Sequence, residues 1–128
     1  MDSVKILLVD DDKDFLWLLS KNIESWGYAV ILALSGKEAL DTVRKSKVDV
    51  IVLDYLMPGM DGVDTLRELR KIDKKVPVIM FTSFPDKRSI EGTKKLGILA
   101  CVPKVGVFTD AESSLKTAIE MAQKRRRG

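Results

Sequence analysis

A chain of 128 residues is long enough for one domain with a sizeable core and too short for two ordinary ones. At 45% hydrophobic and 32% charged residues it has a soluble globular composition, which sets disorder aside, and no apolar run approaches the roughly 18 residues a bilayer span needs. The net charge of +3 comes from Lys124, Arg125, Arg126 and Arg127: without those four of its 22 basic residues, 18 face 19 acidic ones, a net −1, which argues against a basic groove for nucleic acid.

Taken in chain order, short apolar runs alternate with helical stripes five times. The runs at 4–9, 28–32, 48–53, 76–81 and 98–102 are rich in Val, Ile and Leu without polar alternation, the pattern of strands buried on both faces in a parallel sheet. After the first run, Phe15, Leu16, Leu19, Ile23 and Trp26 predict a helix over 13–26 that stops at Gly27. After the second, Ser35 and Glu38 have capping-box spacing ahead of a helix with Ala39, Leu40 and Val43 inside.

The third run leads through the turn-forming sequence MPGMDG into a helix over 62–72, with Val63, Leu66 and Leu69 facing inward. The fourth leads to a weak helix at about 86–96, anchored only by Ile90 and Leu96 and interrupted by Gly92. Beyond the fifth, Thr109 to Glu112 reads as a second capping box, opening a helix that buries Leu115, Ala118, Ile119 and Ala122. Strict βα alternation with short connections predicts a doubly wound parallel α/β sheet with helices on both faces, whose ligands bind outside the carboxyl ends of the strands.

Chemistry-bearing residues stand where that rule puts them. Asp10, Asp11 and Asp12 follow the first strand, Asp54 the third, Thr82 ends the fourth, and Lys104 lies just past the fifth. Only the second strand, the edge in a sheet of order 2-1-3-4-5, has no such residue. Carboxylates converging on one spot repel, and a hard divalent cation, Mg²⁺ or Mn²⁺, removes the conflict because it takes oxygen ligands and is commonly held by one or two carboxylates plus a phosphate. Lys104 adds a point charge and Thr82 a hydroxyl donor, which together make a phosphoryl-transfer site. A carboxylate can itself be the nucleophile, and Asp54, alone at the end of the central strand, is the candidate.

The segments ILLVDDD, VIVLDYLMPGMDG and VPVIMFTS, with the lysine after the fifth strand, resemble the receiver domain of two-component response regulators over essentially the whole chain. The resemblance implies a flavodoxin-like three-layer sandwich over residues 1–124, with 125–128 as a basic tail or the start of a severed linker. It implies that Asp54 accepts a phosphoryl group from a histidine kinase or phosphotransfer protein, and that Asp10 and Asp11 hold Mg²⁺ with the backbone carbonyl of Leu56. Thr82 and Lys104 match the residues that grip the phosphoryl group, and Asp12 falls one position too far and is expected to cap the first helix. The signal is then passed to a protein or output domain by the surface of the fourth helix, fifth strand and fifth helix, as signal reception without turnover of a diffusing substrate. A homodimer linked to phosphorylation is a further expectation, with no direct contact to nucleic acid or membrane.

The chain departs from that family's pattern in three places. Cys101 occupies the position of the usual aromatic switch residue, so coupling to output must differ. Lys104 is followed by Val105 where the family has proline, and a cis bond there would cost about 2.5 to 4 kcal/mol, so a trans bond is expected. Leu56 and Phe84 are apolar at positions flanking the phosphoryl pocket, which predicts slow hydrolysis.

A haloacid-dehalogenase-like phosphatase would use Asp10 and Asp12 but leaves Asp54 unexplained, and a calcium loop of EF-hand type fails because Phe15 and Lys21 stand where glycine and glutamate are needed. A degenerate receiver acting as an interaction module remains an alternative because of Cys101. The lone cysteine, with no disulfide partner and no signal-peptide pattern, predicts a cytoplasmic setting.

Overall fold

In the computed structural model, residues 4–55, 61–82, 87–103 and 108–127 are described, with the backbone alone at 82, 87–90, 103, 108–112 and 125–127. Five β-α units follow in order: β1 Lys5–Val9, α1 Lys13–Ser25, β2 Ala29–Ala33, α2 Gly36–Lys45, β3 Val50–Leu53, α3 Gly62–Ile72, β4 Val78–Thr82, α4 Lys87–Lys94, β5 Ala100–Pro103 and α5 Phe108–Arg127. All five strands are parallel in one sheet of order β2-β1-β3-β4-β5, the order expected from the chemistry at the strand ends.

Alternate side chains of each inner strand feed two separate cores. Ile6 and Leu8 of β1, with Val50 and Val52 of β3, pack against Leu16, Leu19 and Ile23 of α1 and against Leu115 and Ile119 of α5. Leu7, Val9, Ile51 and Leu53 point the other way, to Leu40 of α2 and to Leu66 and Leu69 of α3. Burial on both faces therefore holds for β1 and β3. It fails for β2, where Leu32 is 42% exposed and only Ala33 is buried. As an edge strand, β2 has a neighbour on one side only.

The helix stripes fall as the 3.6-residue period requires, with Leu115, Ala118, Ile119 and Ala122 all buried on α5. Side-chain caps from Asp12, Ser35 and Asp61 open α1, α2 and α3, accepting from the backbone N–H of Phe15, Glu38 and Asp64. At Gly27, φ is +98°, a left-handed turn that ends α1.

Two expectations need correcting. The backbone of α5 is already helical at Phe108, ahead of the expected cap at Thr109. The fourth helix is shorter than expected, ending at Lys94, and Leu96 lies in the turn that follows it. That turn is a Schellman motif, with Ile98 N–H donating to Thr93 O, Gly97 N–H to Lys94 O, and Gly97 at φ +75°. No helix among the described residues is long and apolar enough to cross a membrane.

Candidate metal centre

The register of β1 against β3 assembles the site. Val9 pairs with Leu53, so the residues that follow, Asp10 and Asp54, leave the sheet side by side. Their backbones are fixed by the ladder itself: Asp54 N–H donates to Val9 O at 2.9 Å and Asp10 N–H to Ala33 O at 3.1 Å. One oxygen of Asp10 accepts from Asp12 N–H at 3.0 Å, which shapes the turn that carries Asp11. Asp10 and Asp54 are buried and Asp11 is exposed, and one carboxylate oxygen from each of the three lies within 4.8 Å of the others.

The donor set fits a small hard cation. Oxygens around an octahedral Mg²⁺ at about 2.1 Å stand roughly 3.0 Å apart when adjacent and about 4.2 Å apart when opposite. Carboxylates gathered to within 4.8 Å therefore need only a small contraction to share one ion. Asp12 is spent on capping α1, accepting from Phe15 N–H at 3.1 Å.

The floor beneath the cluster is apolar. Phe15 and Phe81 stack with ring centroids 5.9 Å apart, and a void of about 10 Å³ is bounded by these rings, Leu16, Leu19, Val52 and the two buried aspartates. A space that small is at the lower limit for a single water.

On its far side the site is bounded by the start of α3. Gly62 N–H donates to Tyr55 O at 2.7 Å, and a Cβ at Gly62 would lie 2.6 Å from Tyr55 Cα and 2.8 Å from Asp54 O. Only glycine permits that approach. The sequence marks DG as a turn, yet nothing local in it shows that the helix start presses on the carbonyl of Asp54.

Of the residues singled out in the sequence, Asp10, Asp11 and Asp54 are brought together. Thr82 ends β4 and pairs in register with Pro103 of β5, but its side chain lies outside the described residues, as do Leu56, Phe84 and Lys104 with its bond to Val105. Cys101 sits opposite Met80 and is half-buried against the core that also packs Tyr55, Leu96 and Ile98. Burial pushes its thiol above the usual value.

The model of the response regulator receiver domain matches residues 6–123. The transcriptional regulatory protein ZraR of Escherichia coli K12 is 33% identical over 118 residues, which is 92% of this chain and 27% of that protein. Sporulation initiation phosphotransferase F of Bacillus subtilis is 37% identical over 99 residues, 77% of this chain and 80% of the relative. The chain thus spans about a quarter of the length of the ZraR proteins it matches. Among solved structures, a receiver domain protein from Clostridium thermocellum superposes with a TM-score of 0.87 at 29% identity, covering 97% of both chains. The Vibrio cholerae chemotaxis protein CheY4 gives 0.82 at 29% identity, covering 93% of this chain and 98% of that one.

Proposed function

Because the chain belongs to the response regulator receiver domain family, we propose that it receives a phosphoryl group on Asp54 from a phosphohistidine donor, with Mg²⁺ or Mn²⁺ held by Asp10, Asp11, Asp54 and the carbonyl of Leu56. The observation that carries this reading is the convergence of three carboxylate oxygens within 4.8 Å at the carboxyl ends of β1 and β3. Sequence similarity to a named phosphotransferase supports it.

The divalent ion supplies positive charge that offsets the phosphoryl oxygens and the carboxylates together. Asp54 does the covalent work: its carboxylate oxygen attacks phosphorus, the P–N bond to the donor imidazole breaks, and that nitrogen keeps the electron pair and takes up a proton. The ladder bond from Asp54 N–H to Val9 O fixes the nucleophile on the sheet, and the stacked Phe15 and Phe81 rings give it an apolar floor. Thr82 and Lys104 hold the transferred group by a hydroxyl and an ammonium.

Arrival of that group shifts the surface of α4, β5 and α5 between two states read by a protein or output domain. With Cys101 in place of the usual aromatic ring, coupling of this shift to output differs from the family's pattern. The receiver spans 1–124 and acts in the cytoplasm as a signalling domain without a diffusing substrate or direct nucleic-acid contact. Residues 125–127 continue α5, the segment 125–128 serves as a tail or linker, and phosphorylation promotes a homodimer.

The test is the mass of the native chain and of Asp54→Ala after treatment with acetyl phosphate, with and without Mg²⁺. One phosphoryl group on the native chain, dependent on Mg²⁺ and absent from Asp54→Ala, is the expected result. No addition to the native chain would favour a phosphate-independent interaction module, and phosphate trapped on Asp10 would favour a phosphatase.

A further inference from the structure

At the amino ends of the strands, opposite the acidic cluster, a single guanidinium gathers carbonyls from two separate connections. Arg70, in the last turn of α3, donates from Nε to Leu96 O at 2.8 Å and from one terminal nitrogen to Gly97 O at 3.1 Å. Its other terminal nitrogen donates to Val76 O at 2.7 Å and Asp73 O at 3.4 Å. The first pair of carbonyls belongs to the connection from α4 to β5 and the second to the connection from α3 to β4. Burial lowers the basicity of the guanidinium while Asp73 opposes that shift, so the group is partly withdrawn from water and leans on these acceptors.

The carboxyl end of α4 is fixed in further ways. Its Schellman motif holds Gly97 and Ile98, Thr93 is buried, and Leu99 N–H donates to Val78 O at 2.8 Å to start the pairing with β4. Among the described residues in the body of α4, the contact at Gly92 is a smooth one. Gly92 meets α3 without a side chain, and a Cβ there would touch only Val63, at 3.7 Å. One end of the helix is stapled, and its middle rests on a smooth contact.

We infer that Arg70 is a positioning residue that joins the α3–β4 and α4–β5 connections into one base, so that displacement of α4 pivots at Gly97. This rests on the proposed function only in taking phosphorylation of Asp54 as the event that displaces α4. A guanidinium is required because one planar fork reaches four carbonyls, whereas an ammonium at the end of a lysine chain presents three donors from a single atom.

Amide hydrogen exchange read by mass spectrometry tests it on the full chain, on Arg70→Met and on Arg70→Lys. Each is measured alone and with Mg²⁺ plus beryllium fluoride, a stable stand-in for the phosphoryl group on a carboxylate. In the native chain the additions change exchange in the first half of α4, and the amides of 96–99 stay protected. In Arg70→Met, 96–99 exchange about tenfold faster or more without any addition, and the additions now alter 96–99 as well. Arg70→Lys falls between the two and carries the same comparison should the methionine variant fail to fold.

Native-like protection of 96–99 in both variants overturns the inference, and so does a native chain in which 96–99 respond to the additions as strongly as the start of α4. If the additions change nothing in the native chain, the functional reading fails by itself, and the comparison without additions still decides whether Arg70 is a clamp.

Discussion

Gly62→Ala and Gly92→Ala make the same chemical change in two helices, and the structure predicts opposite signs. At Gly62 the new methyl would sit 2.6 Å from Tyr55 Cα, 2.8 Å from Asp54 O and 3.1 Å from Met80 Cε. An ordinary contact needs about 3.4 Å or more, so α3 and the Asp54–Tyr55 backbone must part by roughly 0.8 Å, against a ladder that holds Asp54 N–H on Val9 O. Overpacking of this kind costs about 1–3 kcal/mol, more than the few tenths that alanine recovers near a helix start. At Gly92 the methyl meets Val63 at 3.7 Å, a favourable distance, and the full helix-propensity gain of up to about 1 kcal/mol is available. Urea denaturation of both variants gives the two free energies, and the rate of phosphoryl incorporation from acetyl phosphate reports on Asp54. Gly62→Ala is expected to lose stability and to slow incorporation, whereas Gly92→Ala is expected to gain stability and leave incorporation near normal. A Gly62→Ala protein as stable and as reactive as the native chain would refute the claim that helix α3 is pressed against the backbone of Asp54.

The acidic cluster makes a matching pair of statements about metal. Asp11→Asn removes one of three repelling carboxylates, so without metal it should be at least as stable as the native chain. At ten times the dissociation constant, Mg²⁺ stabilises the native protein by about 1.4 kcal/mol, and thermal denaturation should show Asp11→Asn losing most of that gain at the same concentration. Cys101 has a thiol whose pKa is raised above 9.0 by burial, so its contribution to stability is complete below about pH 9 and is lost as pH rises through the folded value. Urea titrations between pH 8 and pH 10.5 should show the native chain losing more stability than Cys101→Ala, and parallel curves would count against the burial. Leu56→Asn should shorten the half-life of the phosphorylated form, read as the decay of phosphoryl mass, because a polar side chain there admits water to the acyl phosphate.

The fold was legible because its signals are local and repeated. Unbroken Val, Ile and Leu runs, with helical stripes between them, define βα units, and right-handed crossovers leave few sheets to choose from. The three carboxylates are legible for the same reason: Asp10 and Asp54 are each the first residue after a strand and Asp11 is the next, so knowing that β1 and β3 are neighbours is enough to bring them together. Burial of β2 is not legible in the same way, since an edge strand and a central one share the same composition and only their neighbours in the sheet separate them. The start of α5 was placed too late because Thr109 and Glu112 have capping-box spacing whether or not the helix has already begun.

Arg70 and Gly62 were invisible for a deeper reason. In the segment LRELRKIDKK, Arg70 has the look of one more solvated cation beside Arg67 and Lys71, both of which do form exposed i,i+3 pairs with Asp64 and Glu68. What sets Arg70 apart is an acceptor 26 residues away and another 27 residues away, brought near by the return of the chain through β4 and α4. Gly62 likewise acquires its role from Tyr55 and Asp54 across a turn and from Met80 on β4. Sequence patterns encode which face of an element is buried, whereas these two residues act through backbone atoms, and backbone carbonyls carry no signature in the sequence. The chemistry of the acidic cluster is therefore written in side chains at one end of the sheet, while the constraints on the backbone around it are written in the main chain and appear only once the sheet is assembled.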